Sequence, residues 1–163
     1  MKPFSYARPT TVADALKLLS PTARPKGGGN DLLDLAKRGV STPDVMVDLL
    51  RVGEMAGAVD VLQSPADRKG WLAIGAGTTL ARVAAHDRVA RDAPAVADAA
   101  REAATPQIRN TATVAGSVLQ RPRCGYFRDA YFDCLKRGGT SCPAREGVHD
   151  EMAIFGNSRC CAV

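Results

Sequence analysis

Two parts of this 163-residue chain hold side chains whose types and spacing could do chemistry. The first runs from Ala103 to Arg128, AATPQIRNTATVAGSVLQRPRCGYFR. There Thr113, Ala115, Gly116 and Ser117 combine hydroxyls with little side-chain bulk, so main-chain N–H groups can approach an anion closely. The second is the cysteine series that begins with Cys124 and continues through Cys134, Cys142, Cys160 and Cys161. Together they suggest an anionic ligand beside a metal centre.

The cysteines are separated by nine, seven and then seventeen or eighteen residues, with no CxxC pair. A structural zinc site usually has one such close pair, so the spacing argues against a zinc ribbon. Four thiolates from separate loops suit an iron-sulfur cluster equally well. On spacing alone a cluster, a zinc site and inert buried thiols all stay open. Adjacent side chains of an extended segment point apart, so one of Cys160 and Cys161 is expected to be free. His149 is a candidate substitute ligand, although VHDE reads more simply as a solvent-facing stretch.

An earlier glycine loop, Lys26-Gly27-Gly28-Gly29-Asn30-Asp31, leads into LLDLAKRG and a C-capping Gly39. A helix N-terminus that follows such a loop offers free N–H groups and the positive end of the helix dipole. The loop matches neither the GxGxxG fingerprint nor GxxxxGK followed by Ser or Thr, and by itself it reads as an ordinary turn. A second anion-binding loop would change that reading.

The elements that must position these loops follow from capping and periodicity. Thr11 opens a helix over VADALKLLS with Val12, Ala15, Leu16 and Leu19 as its buried stripe. Asp44 to Leu50 reads as a strand, and AVDVLQS and WLAIGAG as a hairpin joined by PADRKG. Thr78 or Thr79 caps a helix over LARVAAHDRVA that includes His86; Pro94 opens another that Pro106 stops. ATVAGSVLQ reads as a strand that admits a close neighbour at its glycine. From Arg121 onward periodicity is weak and an irregular wrap is expected.

Composition sets the frame. The chain is 45% hydrophobic, with much of that alanine and only 5% aromatic residues, which predicts one finely packed, helix-rich domain or two small lobes. The net charge of +5 is uneven: Arg121, Arg123, Arg128, Lys136, Arg137 and Arg145 crowd the cysteine segment against Asp129, Asp133 and Glu146. Nucleic acid stacked on Tyr126, Phe127 and Tyr131, a pyrophosphate or a metal-thiolate cluster would each answer that charge. No run approaches the ~18 apolar residues of a membrane span, and MKPFSYARPT lacks the apolar core of a signal peptide. The expectation is a soluble, cytoplasmic protein, with the periplasm open through export alongside a partner.

KGGGNDLLDLAKRG, IGAGTTLARV, TPQIRNTATVAGSVLQR, RCGYFRD and FGNSRCCAV, in that order, resemble the flavin-binding medium subunit of the molybdenum hydroxylases. Within the xanthine and aldehyde dehydrogenase family, the resemblance is to the periplasmic aldehyde oxidoreductase type, whose flavin subunit also carries a 4Fe-4S cluster. It covers the N-terminal half of that subunit; the family's C-terminal domain is not in this sequence. It implies an α+β fold, a PCMH-like FAD-binding domain of two small α/β lobes at about 1–53 and 54–163, with an irregular cysteine-bearing segment at 121–163. Lys26, Gly27, Gly28, Gly29, Asn30, Asp31, Leu32, Leu33 and Asp34 would form the first pyrophosphate loop. Thr113, Ala115, Gly116 and Ser117 would form the second, with Ala104 and Thr105 bordering the same cleft. Cys124, Cys134, Cys142 and Cys161 would ligate the cluster.

The implied role is electron transfer through FAD. A molybdopterin-binding large subunit oxidises an aldehyde or N-heterocycle, and a 2Fe-2S small subunit relays electrons. No catalytic acid, base or nucleophile is expected from this chain, and nucleic acid is not an expected partner. Two rival readings are a cofactor-free remnant or assembly partner, and a zinc-stabilised basic module for nucleic acid.

Overall fold

The computed structural model describes residues 1–55, 72–156 and 158–162, and the backbone of 59–60. The chain divides into two compact units. The sheet unit is Phe4–Asn30 with Pro43–Leu119; the cysteine unit is Met1–Pro3, Asp31–Thr42 and Gln120–Val163. These lines differ from the expected lobes at 1–53 and 54–163. Packing rather than chain order draws them, because Leu35 shares a core with Phe127 and Cys134, far along the chain.

In the sheet unit, strands β1 (Ser5–Ala7), β2 (Ala23–Lys26) and β3 (Val45–Asp48) form a parallel sheet with β3 in the centre. Helix α1 (Val12–Leu18) connects β1 to β2. Successive side chains alternate between faces, so Ala23, Val45 and Val47 share one face, where they pack with Ala15 and Val52. Tyr6, Met46, Asp48 and Lys26 take the other parity, and Lys26 lies opposite Asp48 in register.

Helix α1 starts as expected, with Thr11 Oγ1 accepting from the Asp14 N–H at 3.1 Å. Its buried stripe is absent: only Ala15 is buried and Leu16 is 62% exposed. The helix meets the narrow sheet through Val12 and Ala15, which leaves its leucines outward. Helix α2 (Asn30–Lys37) ends where the sequence predicts, with Gly39 at φ +71. The Gly39 N–H donates to Ala36 and the Val40 N–H to Leu35, which satisfies two carbonyls of the last turn.

The expected strand from Asp44 is shorter than predicted. Asp48 ends it by accepting from the Leu50 N–H at 3.1 Å and so capping a 3-10 turn, Leu49–Arg51. The expected hairpin survives as β4 (Val59–Asp60) paired with β5 (Ala73–Ile74), antiparallel; its turn lies outside the described residues. The single helix expected over LARVAAHDRVA is two, α3 (Leu80–Ala85) and α4 (Asp87–Asp92). His86 divides them, since its Nδ1 accepts from the Arg88 N–H at 3.3 Å and competes with helix continuation.

Helix α5 (Pro94–Glu102) ends before Pro106, which instead opens the short α6 (Pro106–Arg109) behind the capping residue Thr105. The strand expected over ATVAGSVLQ is a short helix, α7 (Val114–Val118), because Thr113 Oγ1 accepts from the Gly116 N–H at 3.1 Å and nucleates a turn. Val83, Val89, Ala97 and Ala100 form the core beneath these helices, with Leu80, Ile74 and Val114 against it. Among the described residues no helix is long and apolar enough to cross a membrane. Regular structure after Gln120 consists of two 3-10 turns, Leu135–Arg137 and Pro143–Arg145, among the described residues.

Candidate functional site

The glycine turn follows β2 and so sits at the carboxyl end of a parallel strand, where α/β sheets receive ligands. In the sheet unit this turn meets the segment that leads into α7. A Cβ on Gly28 would overlap the Thr111 carbonyl, and one on Gly27 would lie 2.6 Å from Thr113 Oγ1. Asn30 Nδ2 donates to Thr111 Oγ1 at 3.2 Å, which ties the two turns side chain to side chain. Two main-chain turns more than eighty residues apart are thus in van der Waals contact, and only glycine allows it.

The second turn is pinned from behind. The N–H groups of Leu80, Val114 and Ala115 bond to carbonyls of Ala112, Thr78 and Ala76, at 2.9, 2.9 and 3.1 Å. Thr113 is buried and its Oγ1 is engaged in capping α7, so it shapes the turn rather than offering an open hydroxyl. Ala115 and Ser117 are half-buried and Gly116 exposed. Gly27 faces Thr113, while Gly28 faces Thr111, two residues ahead of the expected start of this turn.

The rest of the predicted site divides. Lys26 to Gly29 are half-buried and Asn30 is exposed. Asp31, Leu32, Leu33 and Asp34 belong to the cysteine unit. There Arg128, only 5% exposed, bonds with both Asp31 and Asp34, the latter at 2.8 Å. Burial works to raise the Asp34 carboxyl, yet hydrogen bonds and charge from Arg38 and Arg128 hold it below the usual carboxylate range. Ala104 and Thr105 lie in the sheet unit; among the described residues no hydrogen bond links them to either turn. Ala104 has φ +50, a left-handed conformation that costs an L-residue about 1 kcal/mol. Arg109 holds it there by donating to the carbonyls of Ala103 and Ala104 at 3.2 and 2.9 Å.

Beside the glycine turn lies a polar group that sequence reasoning missed. Asp48 accepts from the Tyr6 hydroxyl at 2.6 Å, and Lys26 Nζ stands 3.6 Å from its other oxygen. Burial pushes the Asp48 carboxyl up, but the hydrogen bonds from Tyr6 and Leu50 and the Lys26 charge outweigh it and leave it below the ordinary 3.8. A carboxyl depressed in the folded state adds stability above 3.8 that is lost as pH falls through the folded value. Resistance to urea is therefore expected to fall as the pH drops below 3.8. Asp48→Asn should flatten that part of the profile; an unchanged profile would remove Asp48 from it.

In the cysteine unit the thiols fall into pairs. Cys134 is buried with Phe127 and Leu35, and Cys124 packs on the same cluster. Cys142 and Cys161 are neighbours whose thiols influence each other. Burial opposes the Cys142 thiolate, yet N–H groups of Cys161 and Ala144, the Cys161 thiol and the Arg145 charge hold it below the usual thiol range. Burial and the neighbouring Cys142 push Cys161 up. The Leu135 N–H donates to Ser141 at 3.1 Å, so the loop from Cys134 to Cys142 is closed on itself. Among the described residues no three His, Cys, Asp or Glu side chains are gathered as a metal site. The four expected ligands thus stand as two pairs, each fixed by its own local packing, rather than as one assembled set.

A cavity of about 400 Å³ beside Cys142, lined by Thr140, Ser141, Arg145 and Arg159, belongs to this segment and not to the glycine turns. Several arginines of the positively charged cysteine segment have internal partners. Arg128 serves Asp31 and Asp34, Arg137 the carbonyls of Asp129 and Phe132, and Arg145 that of Ser158.

An α+β domain in which a glycine turn at the end of a parallel strand meets a second backbone turn ahead of a short helix, with a lysine beside them, suits a phosphate-bearing ligand. A family model, the FAD binding domain in molybdopterin dehydrogenase, matches residues 2–141. The aldehyde oxidoreductase FAD-binding subunit PaoB of Escherichia coli K12 is 38% identical over 164 residues, or 99% of this chain and 49% of that protein. The carbon monoxide dehydrogenase medium chain of Afipia carboxidovorans is 33% identical over 117 residues, 70% of this chain and 38% of that one. The crystal structure of quinoline 2-oxidoreductase from Pseudomonas putida 86 matches with a TM-score of 0.63 at 31% identity, over 72% of this chain and 40% of that one. This chain belongs to the FAD-binding domain family of the molybdopterin dehydrogenases. It spans about half the length of the aldehyde oxidoreductase subunit and less of the other two.

Proposed function

We propose that this chain is part of the FAD-carrying, electron-transferring subunit of a molybdenum hydroxylase. The FAD diphosphate lies along Lys26 to Asn30 and Thr111 to Ser117. The observation that carries this reading is the close approach of Gly28 to the Thr111 carbonyl, which brings the two backbone turns together and which any side chain would block. Bound there, FAD supplies the redox chemistry, while the chain supplies position and charge. The aldehyde class is favoured for the whole enzyme, because PaoB aligns along 99% of the chain, cysteine segment included. A molybdopterin-binding large subunit and a 2Fe-2S small subunit are the proposed partners, with aldehyde or N-heterocycle oxidation in the former.

The finer part of the proposal is a 4Fe-4S cluster on Cys124, Cys134, Cys142 and Cys161. Its support is chemical: free thiols in one unit, one of them held toward thiolate, and a buried Arg137 Nε–H, beside the turn that starts at Cys134, with no partner among the described residues. An unpaired buried donor is satisfied by a sulfur acceptor. The two thiol pairs must converge for such a cluster to form.

Anaerobic purification, a visible spectrum and metal analysis test both parts. The expected result is stoichiometric FAD with iron and sulfide in equal amounts. Cys134→Ser should abolish the broad cluster absorbance and leave the flavin bands, while Cys160→Ser should leave both. Unchanged iron in Cys134→Ser would refute the ligand assignment, and a colourless folded chain would refute the flavin reading.

A further inference from the structure

The polar group at the carboxyl ends of β1, β2 and β3 has a charge arrangement that neither turn explains. Both Asp48 oxygens already accept from neutral donors, Oδ2 from the Tyr6 hydroxyl at 2.6 Å and Oδ1 from the Leu50 N–H at 3.1 Å. Lys26 Nζ lies 3.6 Å from Oδ1, beyond a tight hydrogen bond, and donates instead to the Gly27 carbonyl at 3.0 Å. The Lys26 side chain is only 11% exposed, so it is confined rather than loosely solvated. An ammonium has three donors, and among the described residues the Gly27 carbonyl takes one. Arg8 adds a second positive charge, 4.0 Å from Asp48, and both cations flank the Tyr6 ring at 5.1 and 5.7 Å. One carboxylate facing two cations leaves a positive excess beside the glycine turn.

We propose that Tyr6 and Asp48 are positioning residues that hold the Lys26 ammonium over the glycine turn, as the counter-charge for the diphosphate of the bound nucleotide. This rests on the FAD reading above. The Tyr6 hydroxyl takes Oδ2 and the Leu50 N–H takes Oδ1, so the carboxylate attracts the ammonium, 3.6 Å away, without drawing it into a short ion pair. The lysine stays charged, near-buried and with donors to offer. Register enforces the arrangement, since Lys26 and Asp48 are cross-strand neighbours in the parallel sheet.

The test is a double-variant cycle on FAD affinity, using the full chain stripped of flavin. Lys26→Met should weaken FAD binding about tenfold and flatten its dependence on salt, as loss of a charge-assisted contact does. Tyr6→Phe removes one oxygen and should weaken binding several-fold, with the same flattening. Lys26→Arg should recover part of the loss. The combination of Tyr6→Phe with Lys26→Met should bind as Lys26→Met alone, because the hydroxyl acts only through the lysine. A Tyr6 that merely supports the fold would instead weaken binding additively and leave the salt slope unchanged, and either result overturns the proposal. So does wild-type affinity in Tyr6→Phe. A wild-type chain that binds no FAD overturns the flavin reading itself, and this inference falls with it.

Discussion

Gly28→Ala is expected to abolish flavin binding and to lower the unfolding free energy by about 2–3 kcal/mol, toward the upper end of the cost of overpacking. The new methyl group would overlap the Thr111 carbonyl, with the Thr111 carbonyl carbon 2.7 Å away. The obstacle is main chain, not the mobile end of a side chain, so it cannot swing aside. The Thr111 backbone is also held in place, since the Thr111 N–H donates to Ile108 at 3.0 Å and the neighbouring Ala112 carbonyl accepts from Leu80 at 2.9 Å. The two turns must therefore separate. Differential scanning calorimetry and flavin content measure the two effects together. Gly53→Ala is the control, because among the described residues a Cβ there meets nothing within 4 Å. Equal flavin content in the two variants would contradict the cradle.

The second large effect is expected at Arg128 in the cysteine unit. Its guanidinium bonds with Asp31 and Asp34 and also donates to the carbonyls of Pro122 at 3.0 Å and Arg121 at 3.3 Å. Its own N–H donates to Cys124 at 3.1 Å, so the turn that carries the first cysteine is built around this residue. Removing one partner of a buried ion pair leaves an uncompensated charge at a cost of about 3–5 kcal/mol. Asp34 is more than a third exposed and water will screen it, which argues for about 3 kcal/mol in Arg128→Met. Arg128→Lys should fail to rescue it, since a single ammonium cannot match a planar group that serves two carboxylates and two carbonyls. Urea denaturation checks this. Full rescue by lysine would show that charge alone, and not the forked geometry, holds the turn.

The parts of the fold legible in the sequence were those set by local backbone chemistry. Thr11 and Thr79 cap helices, Pro94 opens one and Gly39 closes one, because caps are decided within a turn of the chain. The short strands Ser5–Ala7 and Ala23–Lys26 escaped notice, since their few residues alternate no hydrophobic pattern and only pairing with Val45–Asp48 makes them strands. Val114–Val118 looked like a strand by composition, but the Thr113 cap decided otherwise.

The same division runs through the site. The glycine turn could be seen in advance because glycines announce themselves. Its partner Thr111 could not, because nothing local marks a residue whose role is to be approached from eighty positions away. Asp48 was equally silent: an acidic residue that ends an apolar strand reads as a boundary until Tyr6 and Lys26 are placed around it. The cysteines were conspicuous by type, but whether they pair or gather depends on loop closures such as Leu135 to Ser141, which carry no sequence signature.

Amide hydrogen exchange on the flavin-stripped chain, with and without FAD, tests whether the two turns hold one diphosphate. FAD is expected to slow exchange at Gly27 to Asn30 and at Thr111 to Ser117 together. Protection confined to other segments, or at one turn without its partner, would contradict it.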